Sequence, residues 1–92
     1  MRRAGKVDAN QHAIIEVLLA ANCRVQTLAA MGGGVPDLLV QRPDGSLVLL
    51  EVKGEHGTLT PRQRTWMKSW PGVKVVRSPD EALIVVAEDD RE

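Results

Sequence analysis

Residues 36–53 read PDLLVQRPDGSLVLLEVK. Two runs rich in Leu and Val flank Pro43-Asp44-Gly45. Proline presets the first turn position, aspartate suits the second and glycine takes a left-handed third. The stretch therefore predicts a β-hairpin, with strands at 37–42 and 47–53. With a three-residue loop, Arg42 pairs with Ser46. Counting back along both strands sets 41 opposite 47, 39 opposite 49 and 37 opposite 51. Directly opposed residues share a face, about 5 Å apart at Cβ. Asp37 and Glu51 are then neighbours, with Lys53 diagonal to them. A two-residue loop would send Asp37 to the other face, but the turn residues favour three. Val48, Leu50 and Val52 alternate with Glu51 and Lys53 and face a core.

Working outward, residues 24–29 (RVQTLA) read as a strand that Gly32-Gly33-Gly34 breaks. Before it lies a helix, with Asp8 as N-cap and Gln11 at the capping-box position, running to about Asn22. Its apolar face carries Ile14, Ile15, Leu18 and Leu19. Downstream, Thr60-Pro61 opens a helix as N-cap and first residue, which runs to about Ser69 before Pro71-Gly72. Residues 73–77 form a further strand, and Ser78-Pro79 starts a last helix through Ala87. The order is α-β-β-β-α-β-α. It implies an α/β fold: a mixed sheet flanked by helices, with one βαβ crossover. Residues 1–7 are basic and are expected to fray.

Ninety-two residues make one small domain, 1–92, with a thin core that a partner surface would help to complete. There is no Phe or Tyr, and the two tryptophans are Trp66 and Trp70. Readers of nucleic acid that stack bases on aromatic platforms are disfavoured. Four residues apart on one helix face, the tryptophans suit core or dimer packing instead. No run is long and apolar enough for a membrane span, and no secretory signal follows Arg2 and Arg3. The lone Cys23 excludes an intrachain disulfide and fits a buried thiol in a reducing cytoplasm. The net charge of zero hides an asymmetry. Residues 79–92 carry six acids against Arg91, whereas residues 1–78 carry eleven bases and six acids. An anionic partner such as DNA suits the basic part, with the acidic end turned away.

The Asp37–Glu51 neighbourhood carries the chemistry. Two carboxylates that close repel one another unless a cation lies between them. Hard oxygen ligands with room for water suit Mg²⁺, or Mn²⁺ in its place. Lys53 beside such an ion is placed to orient or deprotonate a water, and the Val52 carbonyl is a further candidate ligand. The set then suits hydrolysis of a phosphodiester. Glu-x-Lys alone is a weak signal, since the same pair is routine on a solvated strand face. The three glycines lack the context of a phosphate-cradling loop and suit a tight turn or a close approach to DNA. Lys6, Arg62, Arg64 and Lys68 are candidate phosphate contacts.

Asp37…Glu51-x-Lys53, preceded by Pro36, resembles the PD-(D/E)xK nuclease motif. The wider pattern is Gly34-Val35-Pro36-Asp37-Leu38-Leu39-Val40, then Leu50-Glu51-Val52-Lys53, then Gln63 three residues before Trp66. It resembles the VRR-NUC domain, a small nuclease module found alone in phages and bacteria and at the C-terminus of a eukaryotic DNA-repair nuclease. The resemblance runs from Glu16 to Ser78-Pro79-Asp80-Glu81-Ala82. It implies a restriction-endonuclease-like fold with Asp37, Glu51 and the Val52 carbonyl as metal ligands. Lys53 would be the water-orienting base and Glu16, from the first helix, a further ligand. Gln63 matches a position that approaches the catalytic lysine or a phosphate. His12, one turn before Glu16, is a polar neighbour rather than a ligand, and His56 is not expected to reach the scissile phosphate.

The expected protein is a Mg²⁺- or Mn²⁺-dependent endodeoxyribonuclease without an organic cofactor. As a stand-alone module it would work in the cytoplasm of a bacterial or phage-infected cell. It would act as a homodimer on branched DNA of the four-way (Holliday) junction type. The alternative is a catalytically silent module that keeps the fold and binds nucleic acid or protein.

Overall fold

The computed structural model describes residues 4–88, with side chains from Ala9 onward. The elements are α1 (Ala4–Ala20), β1 (Arg24–Thr27), a short 3-10 turn (Ala29–Met31), β2 (Leu38–Gln41), β3 (Leu47–Val52), α2 (Pro61–Ser69), β4 (Lys74–Val76) and α3 (Pro79–Ala87). This is the α-β-β-β-α-β-α order that the sequence implies. One four-stranded sheet runs β1-β2-β3-β4. β1, β2 and β3 pair antiparallel, and β4 joins β3 in parallel after the α2 crossover.

The first helix departs from its expected start. It is already helical at Ala4, so Asp8 lies inside it rather than capping it. An Asp followed three residues later by Gln marks a helix start only if nothing upstream is helical. The preceding AGKV has no breaker apart from Gly5. Arg2, Arg3 and the acids Asp89, Asp90 and Glu92 lie outside the described residues. At its other end α1 stops at Ala20. Asn22 takes a left-handed φ of 68°, and the Cys23 amide turns back to donate to the Leu18 carbonyl at 3.0 Å.

The hairpin has the register read from its turn. Gln41 faces Leu47 and Leu39 faces Leu49. The Arg42 amide donates to the Ser46 carbonyl at 2.8 Å and closes a three-residue loop, with Gly45 at φ +92°. Asp44 Oδ1 accepts from the Ser46 amide and hydroxyl at 2.9 and 2.7 Å. Alternation then divides the sheet. Leu38, Val40, Val48, Leu50, Val52 and Val76 are buried with Ile14, Leu18, Cys23 and Ala82, and α1 and α3 pack together over that core. Leu19, expected on the same apolar face, is exposed. The opposite face carries Leu39, Leu47 and Leu49 at one end and Glu51 at the other, with α2 alongside. Burial pushes the Cys23 thiol upward, partly offset by the Arg42 charge, which leaves a quiet core thiol. Among the described residues, no helix is long and apolar enough to cross a membrane.

Arg42 fastens the hairpin to α3. It is buried, its Nε donates to the Val86 carbonyl at 3.1 Å, and its Nη2 donates to the Val85 carbonyl at 3.2 Å. Those carbonyls belong to the last turn of α3, where a cation also complements the helix dipole. Arg42→Ala strands them and is expected to cost roughly 2–3 kcal/mol. Thermal unfolding followed by circular dichroism should show a fall in Tm on the order of 10 °C. Arg42→Lys, which loses the planar fork, should recover only part of it. A Tm for Arg42→Ala within about 2 °C of wild type would refute this account.

Candidate active site

Asp37 is held at both ends. Its carbonyl accepts from the Leu28 amide at 2.8 Å, which extends the β1–β2 pairing by one step. Its Oδ2 accepts from the Val52 amide at 2.8 Å. The side chain is thus bound across the hairpin to the strand that carries Glu51, close enough for its charge to act on the Glu51 carboxyl. Glu51 is 2% exposed. Burial, and then the charge of Asp37, push its carboxyl up from 4.5 to about 7, while Lys53 pulls the other way. Two acids this close, one of them buried, hold a proton near neutrality where a cation is absent. Lys53 Nζ stands 3.7 Å from Glu51 Oε2, with the lysine side chain 16% exposed.

Gln63 reaches the same carboxylate through the start of α2. Thr60 caps this helix: its Oγ1 accepts from the Gln63 amide at 3.1 Å, and Gln63 Oε1 accepts from the Thr60 amide at 2.9 Å. This capping box fixes the side chain, and its Nε2 donates to Glu51 Oε2 at 2.9 Å. The resemblance places Gln63 near the lysine or a phosphate; its partner in the structure is Glu51, the acid beside that lysine. The helix start is set in turn by Gly34 (φ +90°), where a Cβ would stand 2.5 Å from the Arg62 carbonyl oxygen. Only glycine allows the 32–34 turn to approach α2 so closely.

Glu16 does not join the pair. Its side chain is 67% exposed and meets His12 Nε2 at 3.1 Å. Among the described residues, no three His, Cys, Asp or Glu side chains gather into a metal-holding group. The reason lies in the helical period. Ile14 and Leu18 are fully buried, and Glu16 sits two residues from each, on the far side of α1. The residue on the inward stripe is Asn10, four before Ile14. Its Nδ2 donates to the Lys53 carbonyl at 3.2 Å and to the Arg77 carbonyl at 3.3 Å. The i, i+4, i+8 stripe of Asn10, Ile14 and Leu18 was the signal that could have found it. His56 is exposed beside Glu55, while Arg62, Arg64 and Lys68 are exposed on α2. The Lys6 side chain lies outside the described residues.

An acid pair at the end of a β-hairpin, an adjacent lysine and a helix-borne glutamine on one face of a mixed sheet define a nuclease-type α/β domain. The profile of the VRR-NUC domain matches residues 11–71, which include all four side chains, and the chain belongs to that family. A solved structure described as a VRR_NUC domain is similar over 90% of this chain and 96% of its own, with 28% identity and a TM-score of 0.76. Among curated proteins, none matches.

Proposed function

We propose that this chain is a Mg²⁺- or Mn²⁺-dependent endodeoxyribonuclease in which Asp37 and Glu51 hold the metal and Lys53 serves the attacking water. The observation that carries the reading is the buried Glu51 carboxylate, held by Gln63 beside Lys53, with its pKa raised to about 7 by burial and by the charge of Asp37. A silent binding module gains nothing from that unfavourable arrangement. The donor set fits a hard divalent cation: two carboxylates, with the Val52 carbonyl as a further oxygen. Such an ion, when bound, polarises the phosphodiester and lowers the pKa of a coordinated water. Asp37, tied to the Val52 amide, and Glu51, tied to Gln63, keep their carboxylates in place for it. Lys53 orients the water whose oxygen attacks phosphorus, and neutralises charge as the bond to the leaving sugar oxygen breaks. The proton released from that water passes to solvent, and the leaving oxygen takes one up.

The reading extends to a homodimer acting on branched DNA. Leu39, Leu47, Leu49, Met31, Trp66 and Trp70 line an open apolar groove of about 700 Å³. Trp66 and Trp70 stack there, with ring centroids 4.9 Å apart. Met31, Leu47 and Trp70 are among the large apolar side chains left exposed. A patch of this kind suits self-association, and a two-fold pair of sites matches the approximate two-fold symmetry of a four-way junction.

The test is cleavage of duplex, flap, splayed-arm and four-way-junction DNA with Mn²⁺ and with EDTA, together with sedimentation at micromolar concentration. The expected result is junction cutting that stops in EDTA, by a species of twice the 10.0 kDa chain mass. Cutting by pure protein that persists in EDTA would overturn the metal mechanism. A clean monomer would overturn the dimer, and equal rates on duplex and junction would overturn the substrate preference.

A further inference from the structure

We propose that Arg77, with Asn10, is a positioning residue for Lys53; the proposal rests on the nuclease reading of the site. Lys53 is the first residue beyond β3, where strand pairing alone no longer fixes the chain. Its amide donates to the Val76 carbonyl at 3.0 Å, and its carbonyl accepts from Asn10 Nδ2 at 3.2 Å. The following turn, residues 54–57, closes through the Gly57 amide on the Gly54 carbonyl at 3.2 Å. It folds back onto the lysine: a Cβ on Gly57 would lie 3.5 Å from both Lys53 Cβ and Cδ. The turn is therefore a wall against the aliphatic stem of Lys53.

Arg77 holds that wall. Its Nη1 donates to the Gly54 carbonyl and to the Gly57 carbonyl, both at 2.7 Å. These are short, charge-assisted bonds that span the turn. The arginine backbone is itself fixed at both ends. Its amide donates to Glu81 Oε1 at 2.7 Å, and its carbonyl accepts from Asn10 Nδ2 at 3.3 Å. One asparagine on α1 thus ties the carbonyl of Lys53 to the carbonyl of Arg77, and Arg77 ties the turn to both. A lysine stem without a wall samples many rotamers, and its ammonium spreads over as many positions. With the wall in place, Nζ is kept near Glu51 Oε2. Arg77 Nη1 is directed at two carbonyls, so its work is to order the turn rather than to offer charge to a phosphate.

The experiment compares the full-length chain with Arg77→Ala, Arg77→Lys and Asn10→Ala. It follows single-turnover cleavage of branched DNA with Mn²⁺, DNA affinity against salt, the Mn²⁺-induced rise in Tm, and amide exchange at residues 54–57 without metal. Arg77→Ala should slow cleavage roughly 10- to 100-fold. Its DNA affinity and Mn²⁺ response should stay near wild type, while the 54–57 amides exchange faster. Arg77→Lys keeps a donor cation and should restore part of the rate. Asn10→Ala leaves the arginine in place and should give a smaller loss in the same direction, which tests the proposal even if Arg77→Ala fails to fold. A wild-type rate in Arg77→Ala or Asn10→Ala overturns the positioning role alone. So does a weaker, less salt-dependent DNA affinity at unchanged rate, the mark of a phosphate contact. A wild-type chain that cuts no DNA with Mn²⁺ overturns the nuclease reading, and the positioning role falls with it.

Discussion

Glu51→Gln and Asp37→Asn are each expected to lower Mn²⁺-dependent cleavage by roughly a thousandfold or more while DNA is still bound. Each removes a carboxylate from the pair that would hold the ion, and an ion of this kind supplies several kcal/mol of transition-state stabilisation. The same substitutions should act in the opposite direction on the metal-free fold. Glu51 has its carboxyl raised from 4.5 to about 7, first by burial and then by Asp37. The folded chain therefore holds this proton more tightly than the unfolded chain does. The resulting stability is complete below about pH 4.5 and is lost as pH rises through about 7. At about 1.4 kcal/mol per pH unit, that interval is worth at most about 3.5 kcal/mol. With EDTA present, the Tm of wild type should fall between pH 5 and pH 8, and that of Glu51→Gln should fall less. At pH 8 the variant should be the more stable protein. Mn²⁺ displaces the proton, so its stabilising effect on wild type should be larger at pH 8 than at pH 6. Parallel Tm curves for wild type and Glu51→Gln across this range would contradict the assignment.

Lys53→Ala is expected to cut at least about a hundredfold more slowly than wild type, within the range for a group that positions the attacking water and neutralises developing charge in the transition state. Metal binding should survive, because both carboxylates remain. Loss of the ammonium 3.7 Å from Glu51 Oε2 removes the one influence that draws the Glu51 carboxyl downward. The Tm of the metal-free variant should therefore fall more steeply with pH than that of wild type. Two measurements separate the lysine from the acid pair: Mn²⁺ titration followed by Tm, and single-turnover cleavage at saturating Mn²⁺. A Lys53→Ala chain that cleaves at the wild-type rate has no catalytic use for its lysine.

What was legible in the sequence was local or periodic. Pro43-Asp44-Gly45 demanded a three-residue loop, and from that loop the register followed by counting, down to Leu39 opposite Leu49. Thr60-Pro61 states a helix start outright, and the capping box that Gln63 closes there in the structure also aims the glutamine. What stayed hidden depended on partners far away in the chain. Arg42 reads as the ordinary end of a strand, and only the last turn of α3, more than forty residues later, makes it buried. Arg77 reads as a surface base until the 54–57 turn lies against it. Glu16 enters the site through the resemblance alone, and its four-residue spacing to His12 says that the two share a face, not which way that face looks. The apolar stripe of Ile14 and Leu18 settles the direction, and it favours Asn10.

Arg42 has a meaning for assembly as well as for stability. A hairpin can in principle settle one residue out of step, and here both faces carry leucines, Leu38 and Leu50 on one and Leu39, Leu47 and Leu49 on the other. In such a slip Arg42 would point away from α3, and the Val85 and Val86 carbonyls would find no guanidinium. Docking of the last helix thus proofreads the hairpin turn. The register that lets Arg42 reach α3 is also the one that sets position 37 across from position 51, so a chain that closes its C-terminal end has, by the same act, brought its two acids together.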